Sequence, residues 1–201
     1  MRFIVQVLIA SAALSFNAKA QNPTYKHSVG VGLEHVGLDA PDGGGNRYLI
    51  RYTRHLHNDR FLLAGNAGYV KALNRRYLGL NNYYVDGRRR ERITADFTAA
   101  FDFIRHPRHA FRLGIGPSLW YRQDELLDGV TYTVNVTTNE VSNVRAEWRQ
   151  IKEVNFGYNV LVEYEYAFTE RLLASAKLKF FDSRRAGPSS IYGVGLGYRL
   201  P

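Results

Sequence analysis

Arginines concentrate in two neighbouring stretches of this sequence, and the residue type suits phosphate recognition. The guanidinium group is a planar fork that binds phosphate through two parallel hydrogen bonds. We therefore predict a phosphate-contacting surface here, with a merely solvated basic surface as the alternative. Nucleic acid is disfavoured as a partner because no nucleic-acid-binding motif accompanies these residues. The six arginines are Arg75, Arg76, Arg88, Arg89, Arg90 and Arg92.

Histidines and serines are the other residues that could support chemistry. His55 and His57 could present two imidazoles to a metal ion, but two histidines alone are a weak metal signature. A serine nucleophile needs a base within hydrogen-bond reach. His27 and Ser28 are adjacent, yet neighbours on a strand point to opposite faces. We therefore predict no metal site, no cofactor and no catalytic residue.

Composition narrows the chemistry further. The 201 residues carry a formal net charge of +9 and include no cysteine, which excludes disulfides and thiol nucleophiles. A mean hydropathy of −0.31 is typical of a soluble protein. It is equally typical of a β-barrel with a polar interior, because only alternate residues of each strand then face lipid.

A period of two runs through most of the chain and predicts the elements that must position these residues. Between Ile93 and Phe103, apolar side chains alternate with polar ones almost without error, which indicates a strand with one oily and one polar face. The eight segments with this pattern are 27–37, 47–53, 61–71, 92–103, 111–122, 154–168, 172–180 and 192–200.

The polar faces of these strands carry charges of both signs. Turns near Pro107 and Glu170 place Asp102 opposite Arg112 and Glu163 opposite Lys177. Because an unpaired charge is costly inside a narrow barrel, we predict an interior filled by ion pairs. A gated ion or proton path is the alternative. The predicted inward charges are Glu34, Arg51, Asp96, Asp102, Arg112, Glu163, Glu165, Lys177, Lys179 and Arg199.

Connection lengths alternate along the chain. Segments 38–45, 72–91, 123–153 and 182–190 are longer than 54–60, 104–110 and 169–171. Outer-membrane barrels combine short periplasmic turns with long extracellular loops, so the predicted topology has both termini in the periplasm. In segment 123–153, residues 131–136 have enough β-propensity to extend a hairpin above the membrane.

The N-terminus has the features of an export signal. Arg2 precedes an apolar stretch, and Ala18-Lys19-Ala20 is a small-x-small cleavage site. The apolar run is shorter than the ~20 residues that a spanning helix needs. We predict a signal peptide at 1–20, cleaved after Ala20, and one β-barrel domain at 21–201.

These features together resemble a known family. The signal, the even strand number, the loop asymmetry and the last strand (Gly193-Val194-Gly195-Leu196-Gly197-Tyr198) are similar to those of small outer-membrane β-barrel proteins. That group includes the OmpA transmembrane domain, the OmpX and OmpW types, and short barrels of Bacteroidetes. The resemblance implies a single eight-stranded antiparallel up-and-down transmembrane β-barrel in the outer membrane of a Gram-negative cell envelope.

The resulting expectation is a structural or surface-interaction role without enzymatic activity. The predicted partners are outer-membrane lipid, lipopolysaccharide at the basic extracellular rim, and an extracellular ligand at segment 123–153. Two alternatives remain open at this point: a lipid A-modifying outer-membrane enzyme, as some barrels of this architecture are, and a narrow porin-like channel.

Overall fold

Eight antiparallel strands form one sheet that closes on itself, with each strand hydrogen-bonded to its neighbours in sequence and β1 to β8. The structure is a computed structural model that describes residues 25–37, 44–57, 59–77, 84–104, 106–138, 140–183 and 187–201. Within those ranges, no helix has the length and apolar character to cross a membrane. The strands are β1 (His27–Gly37), β2 (Gly44–Leu56), β3 (Phe61–Tyr77), β4 (Tyr84–Asp102), β5 (His109–Val134), β6 (Val141–Ala167), β7 (Leu172–Ser183) and β8 (Gly187–Leu200).

All eight predicted strands and the predicted fold are confirmed, but several strands are longer than predicted. β4 begins at Tyr84, β5 continues to Val134, and β6 begins at Val141. Much of the segments predicted as loops at 72–91 and 123–153 is therefore strand. The alternation fades there, while the backbone ladder continues. The predicted signal peptide lies outside the described residues.

The two ends of the barrel differ. One end, here called the short-turn end, carries the β2–β3, β4–β5 and β6–β7 turns. Asp102 Oδ1 accepts hydrogen bonds from the backbone N–H groups of Ile104 and Phe111 at 3.0 and 3.1 Å, which closes the β4–β5 turn. Thr169 Oγ1 accepts from Leu172 N–H at 2.9 Å in the β6–β7 turn. The opposite end, here called the loop end, holds the strand extensions.

The outer wall of the barrel is apolar. Outward side chains such as Val31, Ile50 and Ile115 are about 60% exposed, as the alternation predicts. A continuous apolar surface of this extent is unfavourable in water and matches the lipid-facing band of a transmembrane barrel. The outward aromatics include Tyr48, Tyr52, Phe61, Tyr69, Phe103, Phe156, Phe180, Tyr192 and Tyr198.

One glycine on the interior face, Gly116, allows β4 and β5 to lie close together. A Cβ atom on Gly116 would lie 1.9 Å from the backbone oxygen of Phe97, so no larger residue fits. The β4–β5 ladder has no pair between Asp96↔Ser118 and Ala99↔Ile115, and Pro117, which has no N–H to donate, lies in this gap. The close approach of β4 to β5 brings their inward side chains within contact distance of β6.

Candidate functional site

The interior nearer the loop end holds an ion-pair cluster around Asp96, here called the Asp96 cluster. Arg47 donates to Glu34 Oε2 at 3.0 Å and to Asp96 Oδ2 at 2.7 Å. Its Nε also donates to Thr94 Oγ1 at 2.9 Å. Lys179 Nζ reaches the same Asp96 oxygen at 2.8 Å. All of these side chains are buried, so each acid is neutralised without water.

A second cluster lies nearer the short-turn end and is here called the Glu163 cluster. Arg51 binds Glu163 through two hydrogen bonds of 2.6 and 2.9 Å. Arg112 binds Glu165 in the same forked manner at 2.7 and 2.9 Å. Arg199 lies 3.7 Å from Glu165. Such paired hydrogen bonds fix geometry as well as charge.

Seven of the ten charged side chains predicted to point inward are buried, and one predicted pairing differs. Asp102 lies opposite Arg112 in the β4–β5 ladder, as predicted, and Glu163 lies opposite Lys177. The Asp102 carboxylate nevertheless caps the β4–β5 turn, while Arg112 pairs with Glu165 across β5 and β6. Sequence reasoning also missed Arg47, which is fully buried. Arg47 lies four residues before Arg51 on the same strand and therefore points to the same face, which was the signal that could have placed it inside.

An aromatic layer closes the interior at the loop end. Trp120 and Phe181 stack with ring centroids 4.2 Å apart and planes 2° apart. The guanidinium carbons of Arg47 and Arg92 lie 6.0 and 5.9 Å from the Trp120 ring centroid, within the range of cation–π attraction. Val36, Val70 and Ile191 complete this buried apolar cluster.

The described interior retains little empty space. One cavity of about 30 Å³ lies in the interior between Thr53, Glu165 and Lys177, and a space of this size is in the range that holds a water molecule. Asn159 fills part of the centre and donates to Ser118 Oγ and to the Gly116 carbonyl, both at 2.9 Å. The described part of the interior is therefore lined by buried polar and charged side chains.

The six arginines of the predicted phosphate-contacting surface divide into two groups. The side chains of Arg90 and Arg92 turn into the barrel and are 3% and 5% exposed, and Arg92 lies 3.6 Å from Asp124. Their placement narrows the predicted contact to the remaining four. Arg75 and Arg76 lie on β3 and Arg88 and Arg89 on β4, but the side chains of these four are outside the described part of the chain.

Segment 123–153, predicted as a loop with a hairpin at residues 131–136, is almost entirely the β5–β6 hairpin, which is longer than predicted. β5 pairs with β4 only as far as Asp124, and β6 pairs with β7 only from Gly157. In the ladders of the described residues, 125–134 pair with the β6 residues 141–150. Leu127 lies opposite Trp148 and Val130 opposite Ala146. The result is a two-stranded ribbon that continues past the pairings with β4 and β7.

Three side chains meet at the short-turn end in an arrangement that sequence reasoning missed. Ser28 Oγ lies 3.2 Å from His55 Nε2. His55 Nδ1 lies 3.1 Å from Asp59 Oδ1, although the ring N–H is poorly aligned with that oxygen. Burial alone would raise the pKa of Asp59, but the hydrogen bond and charge of His55, with smaller effects from two arginines, hold it below its usual value.

The signal for this arrangement was strand parity. Ser28 and His55 fall on the inward faces of adjacent strands at the same end of the barrel, whereas His57 contacts Phe61 at a ring distance of 6.3 Å. His55 and His57 therefore do not converge on one metal. Among the residues that the structure describes, no group of three or more metal-ligating side chains comes together.

Comparison with known proteins supports the fold. No family model matches the sequence, and no curated protein matches it either. Among solved structures, the chain is similar to Neisserial surface protein A (NspA), with 14% identity, a TM-score of 0.56 and coverage of 87% of this chain and 97% of that one. The N-terminal β-barrel domain of Pseudomonas aeruginosa OprF gives 16% identity, a TM-score of 0.53 and coverage of 90% and 100%.

A third similar structure is Ail, the attachment invasion locus protein of Yersinia pestis, in complex with the heparin analogue sucrose octasulfate. It has 12% identity, a TM-score of 0.51 and coverage of 87% of this chain and 97% of that chain. At these identities, the likeness shows the fold alone. The predicted resemblance to small outer-membrane β-barrel proteins is confirmed at that level.

Proposed function

We propose that this chain is an outer-membrane protein of a Gram-negative cell envelope that interacts with other molecules through its loop end and does not conduct solutes. Residues 1–20 would act as the export signal and be removed after Ala20. The observation that carries the non-conducting part is the closure of the interior by the Trp120–Phe181 stack above two ion-pair clusters.

The location rests on the outer wall and the fold. An apolar band around a closed barrel is stable in lipid, where every backbone group is already hydrogen-bonded within the sheet. Two proteins with a similar fold support this location: NspA is a Neisserial surface protein, and Ail is an attachment invasion locus protein. Fractionation of cells expressing the full chain, with mass spectrometry of the mature N-terminus, tests both the location and cleavage before Gln21.

The non-conducting interior separates this proposal from the porin-like alternative. The cavity of about 30 Å³ is close to the size of one water molecule. Ion passage would require the aromatic stack and the Arg47 contacts to open together. Purified protein in planar lipid bilayers is expected to give no discrete current steps. Regular steps that persist in independent preparations would refute a sealed interior.

The proposed partner at the loop end is lipopolysaccharide, bound through its phosphates. Arg75 and Arg76 face residues 85 and 86 in the β3–β4 ladder, and Arg88 and Arg89 follow on β4. Four arginine positions thus lie near one another on β3 and β4 at the loop end. The Ail complex gives support by analogy, since sucrose octasulfate is a polyanion bound to a small barrel of this fold.

The test compares two charge-matched pairs of substitutions. Arg88→Gln/Arg89→Gln is expected to reduce co-purified lipopolysaccharide and to weaken the salt dependence of its binding. Arg145→Gln/Arg149→Gln removes the same charge from the exposed β5–β6 ribbon and is the control. If both pairs leave the bound lipopolysaccharide unchanged at low salt, the arginine contact is wrong. If only the ribbon pair reduces it, the hairpin is the binding surface instead.

An extracellular ligand at the β5–β6 hairpin is the second candidate. The tip of the ribbon is exposed, with Tyr132 at 40% and Val136 at 94%, and exposed apolar side chains on an extended hairpin can contact another protein. Replacement of residues 125–150 by an Asn-Gly turn is expected to leave the barrel folded, because the remaining ladder still closes. Loss of cell-surface adhesion in that variant, with lipopolysaccharide binding unchanged, would assign a separate role to the hairpin.

A further inference from the structure

The contact of Ser28, His55 and Asp59 has the connectivity of a serine nucleophile with its base and its orienting acid. Each residue comes from a different element: Ser28 from the start of β1, His55 from the end of β2, and Asp59 from the β2–β3 turn. Ser28 Oγ lies within hydrogen-bond reach of His55 at 3.2 Å, and the Asp59 carboxylate, 3.1 Å from the other ring nitrogen, is close enough to orient the ring.

Local structure explains why these three residues meet. The backbone N–H of His55 donates to the Lys26 carbonyl at 2.8 Å, which holds the end of β2 against the start of β1. His57 and Asp59 have φ angles of 49° and 63°. This left-handed backbone is uncommon for residues other than glycine, and it turns the chain so that the Asp59 carboxylate returns to the His55 ring.

The surroundings of Ser28 supply a cationic group. Arg199 is the cross-strand partner of Ser28 on β8, so its side chain enters the barrel beside the serine. Its contact with Glu165 is long, at 3.7 Å. A guanidinium in this position can stabilise negative charge that develops on a carbonyl oxygen. Ser28 is mostly buried, and the space behind it is small.

We propose that Ser28, His55 and Asp59 form a site that hydrolyses short-chain carboxylic esters entering from the short-turn end of the barrel. This goes beyond the proposed surface role and departs from the sequence-based expectation of no catalytic residue. The cavity beside Ser28, of about 30 Å³, restricts the acyl group to the smallest ones, such as acetyl.

The reaction follows from the geometry in two steps. Ser28 Oγ attacks the ester carbonyl carbon while His55 Nε2 takes the hydroxyl proton, and the carbon–oxygen bond to the alcohol breaks as His55 returns that proton to the leaving alcohol. A water molecule then attacks the acyl group on Ser28. His55 takes the water proton and returns it to Ser28, and the carboxylic acid leaves. Asp59 holds the ring orientation, and Arg199 faces the carbonyl oxygen.

A purely structural role makes a different prediction for chemical labelling. A serine that only ties β1 to β2 has no raised reactivity, whereas an activated serine reacts with a fluorophosphonate probe. The experiment uses the full mature chain in detergent micelles, with mass spectrometry to locate the adduct. Hydrolysis of p-nitrophenyl acetate is measured on the same samples.

The expected result is an adduct on Ser28 in the folded wild-type chain and none in the heat-unfolded chain. Ser28→Ala should bring hydrolysis down to the solvent background. His55→Gln should reduce the rate by roughly 10²- to 10⁴-fold, the usual contribution of a general base. Ser189→Ala, which changes a buried serine at the loop end, should leave both readouts unchanged.

The proposal is overturned if folded wild-type protein gives no Ser28 adduct, or if Ser28→Ala hydrolyses the ester as fast as wild type. Circular dichroism and the gel shift between unheated and heated samples show which variants fold. If His55→Gln does not fold, Asp59→Asn takes its place, and an unchanged labelling rate in that variant would also overturn the assignment. Lipopolysaccharide binding is measured separately, so failure here does not bear on the loop-end proposal.

Discussion

Replacement of Arg47 by methionine should destabilise the barrel more than any surface substitution of the same type. The guanidinium contacts Glu34, Asp96 and Thr94 at 3.0, 2.7 and 2.9 Å. Asp96 keeps Lys179 at 2.8 Å in the variant, so the main loss falls on Glu34, which is 2% exposed. Removal of one partner from a buried ion pair costs about 3–5 kcal/mol, and we expect Arg47→Met to lower the free energy of unfolding by that amount.

The assay is urea unfolding of the barrel in lipid vesicles, followed by tryptophan fluorescence. Trp120 lies 6.0 Å from the Arg47 guanidinium and therefore reports on the same region. In a double-mutant cycle, Glu34→Gln should recover about 0.5–3 kcal/mol of the loss, because the two residues interact directly. Arg149→Met is the control, since its contact with Asp128 is 3.7 Å long and exposed and should be worth at most about 1 kcal/mol.

Two results would contradict this reasoning. If Arg47→Met costs no more than Arg149→Met, then water must reach Glu34 and the interior is not packed as described. If the cycle between Arg47 and Glu34 shows no coupling, the loss comes from changed packing against Trp120 rather than from the ion pair.

The remaining predictions concern the wall, the aromatic layer and the short-turn end. Val160→Arg should cost roughly 2–4 kcal/mol of stability, because Val160 faces lipid. Val136→Arg in the exposed hairpin turn should change stability by less than about 0.5 kcal/mol. Equal effects of the two substitutions in urea unfolding would refute the strand register. Trp120→Ala should cost about 3–5 kcal/mol, with a coupling to Phe181 of about 0.5–1.5 kcal/mol in a double-mutant cycle; additive losses would contradict the stack. The lowered pKa of Asp59 stabilises the fold at pH values above the unfolded pKa of 3.8, and this contribution is lost as pH falls through the lower folded pKa. Asp59→Asn should therefore flatten the acid side of the profile of stability against pH. An identical profile in the variant would show that the pKa shift is absent.

Strand faces could be predicted from the sequence because every residue of a strand reports on the same alternation. Val160 and Asn159 illustrate this: one is exposed on the wall and the other is fully buried with several hydrogen bonds. Alternation says only that Asn159 points inward. It does not say that the side chain donates hydrogen bonds to Ser118 and the Gly116 carbonyl. Those contacts depend on the close approach of β4 to β5 at Gly116.

Contacts between side chains were predictable only where a short turn fixes the register. The β4–β5 turn set Asp102 opposite Arg112 correctly. The β5–β6 register is counted from a turn at the far end of a long hairpin, so the approach of Arg112 to Glu165 could not be derived. The same limit applies to Ser28 and His55, whose proximity needs the β1–β2 register. Arg47 was missed for a simpler reason, because the predicted strand began at that residue.

The burial of charge also indicates which charged residues are available for binding. A cation inside a narrow barrel is held by the acids that surround it, and its release would expose those acids to an apolar environment. Arg47, Arg51 and Arg112 are held in this way by two or three short contacts each. Such residues stabilise the fold and are poor candidates for reversible contact with a ligand. For this reason the proposed lipopolysaccharide contact is assigned to the arginines of the strand extensions, Arg75, Arg76, Arg88 and Arg89.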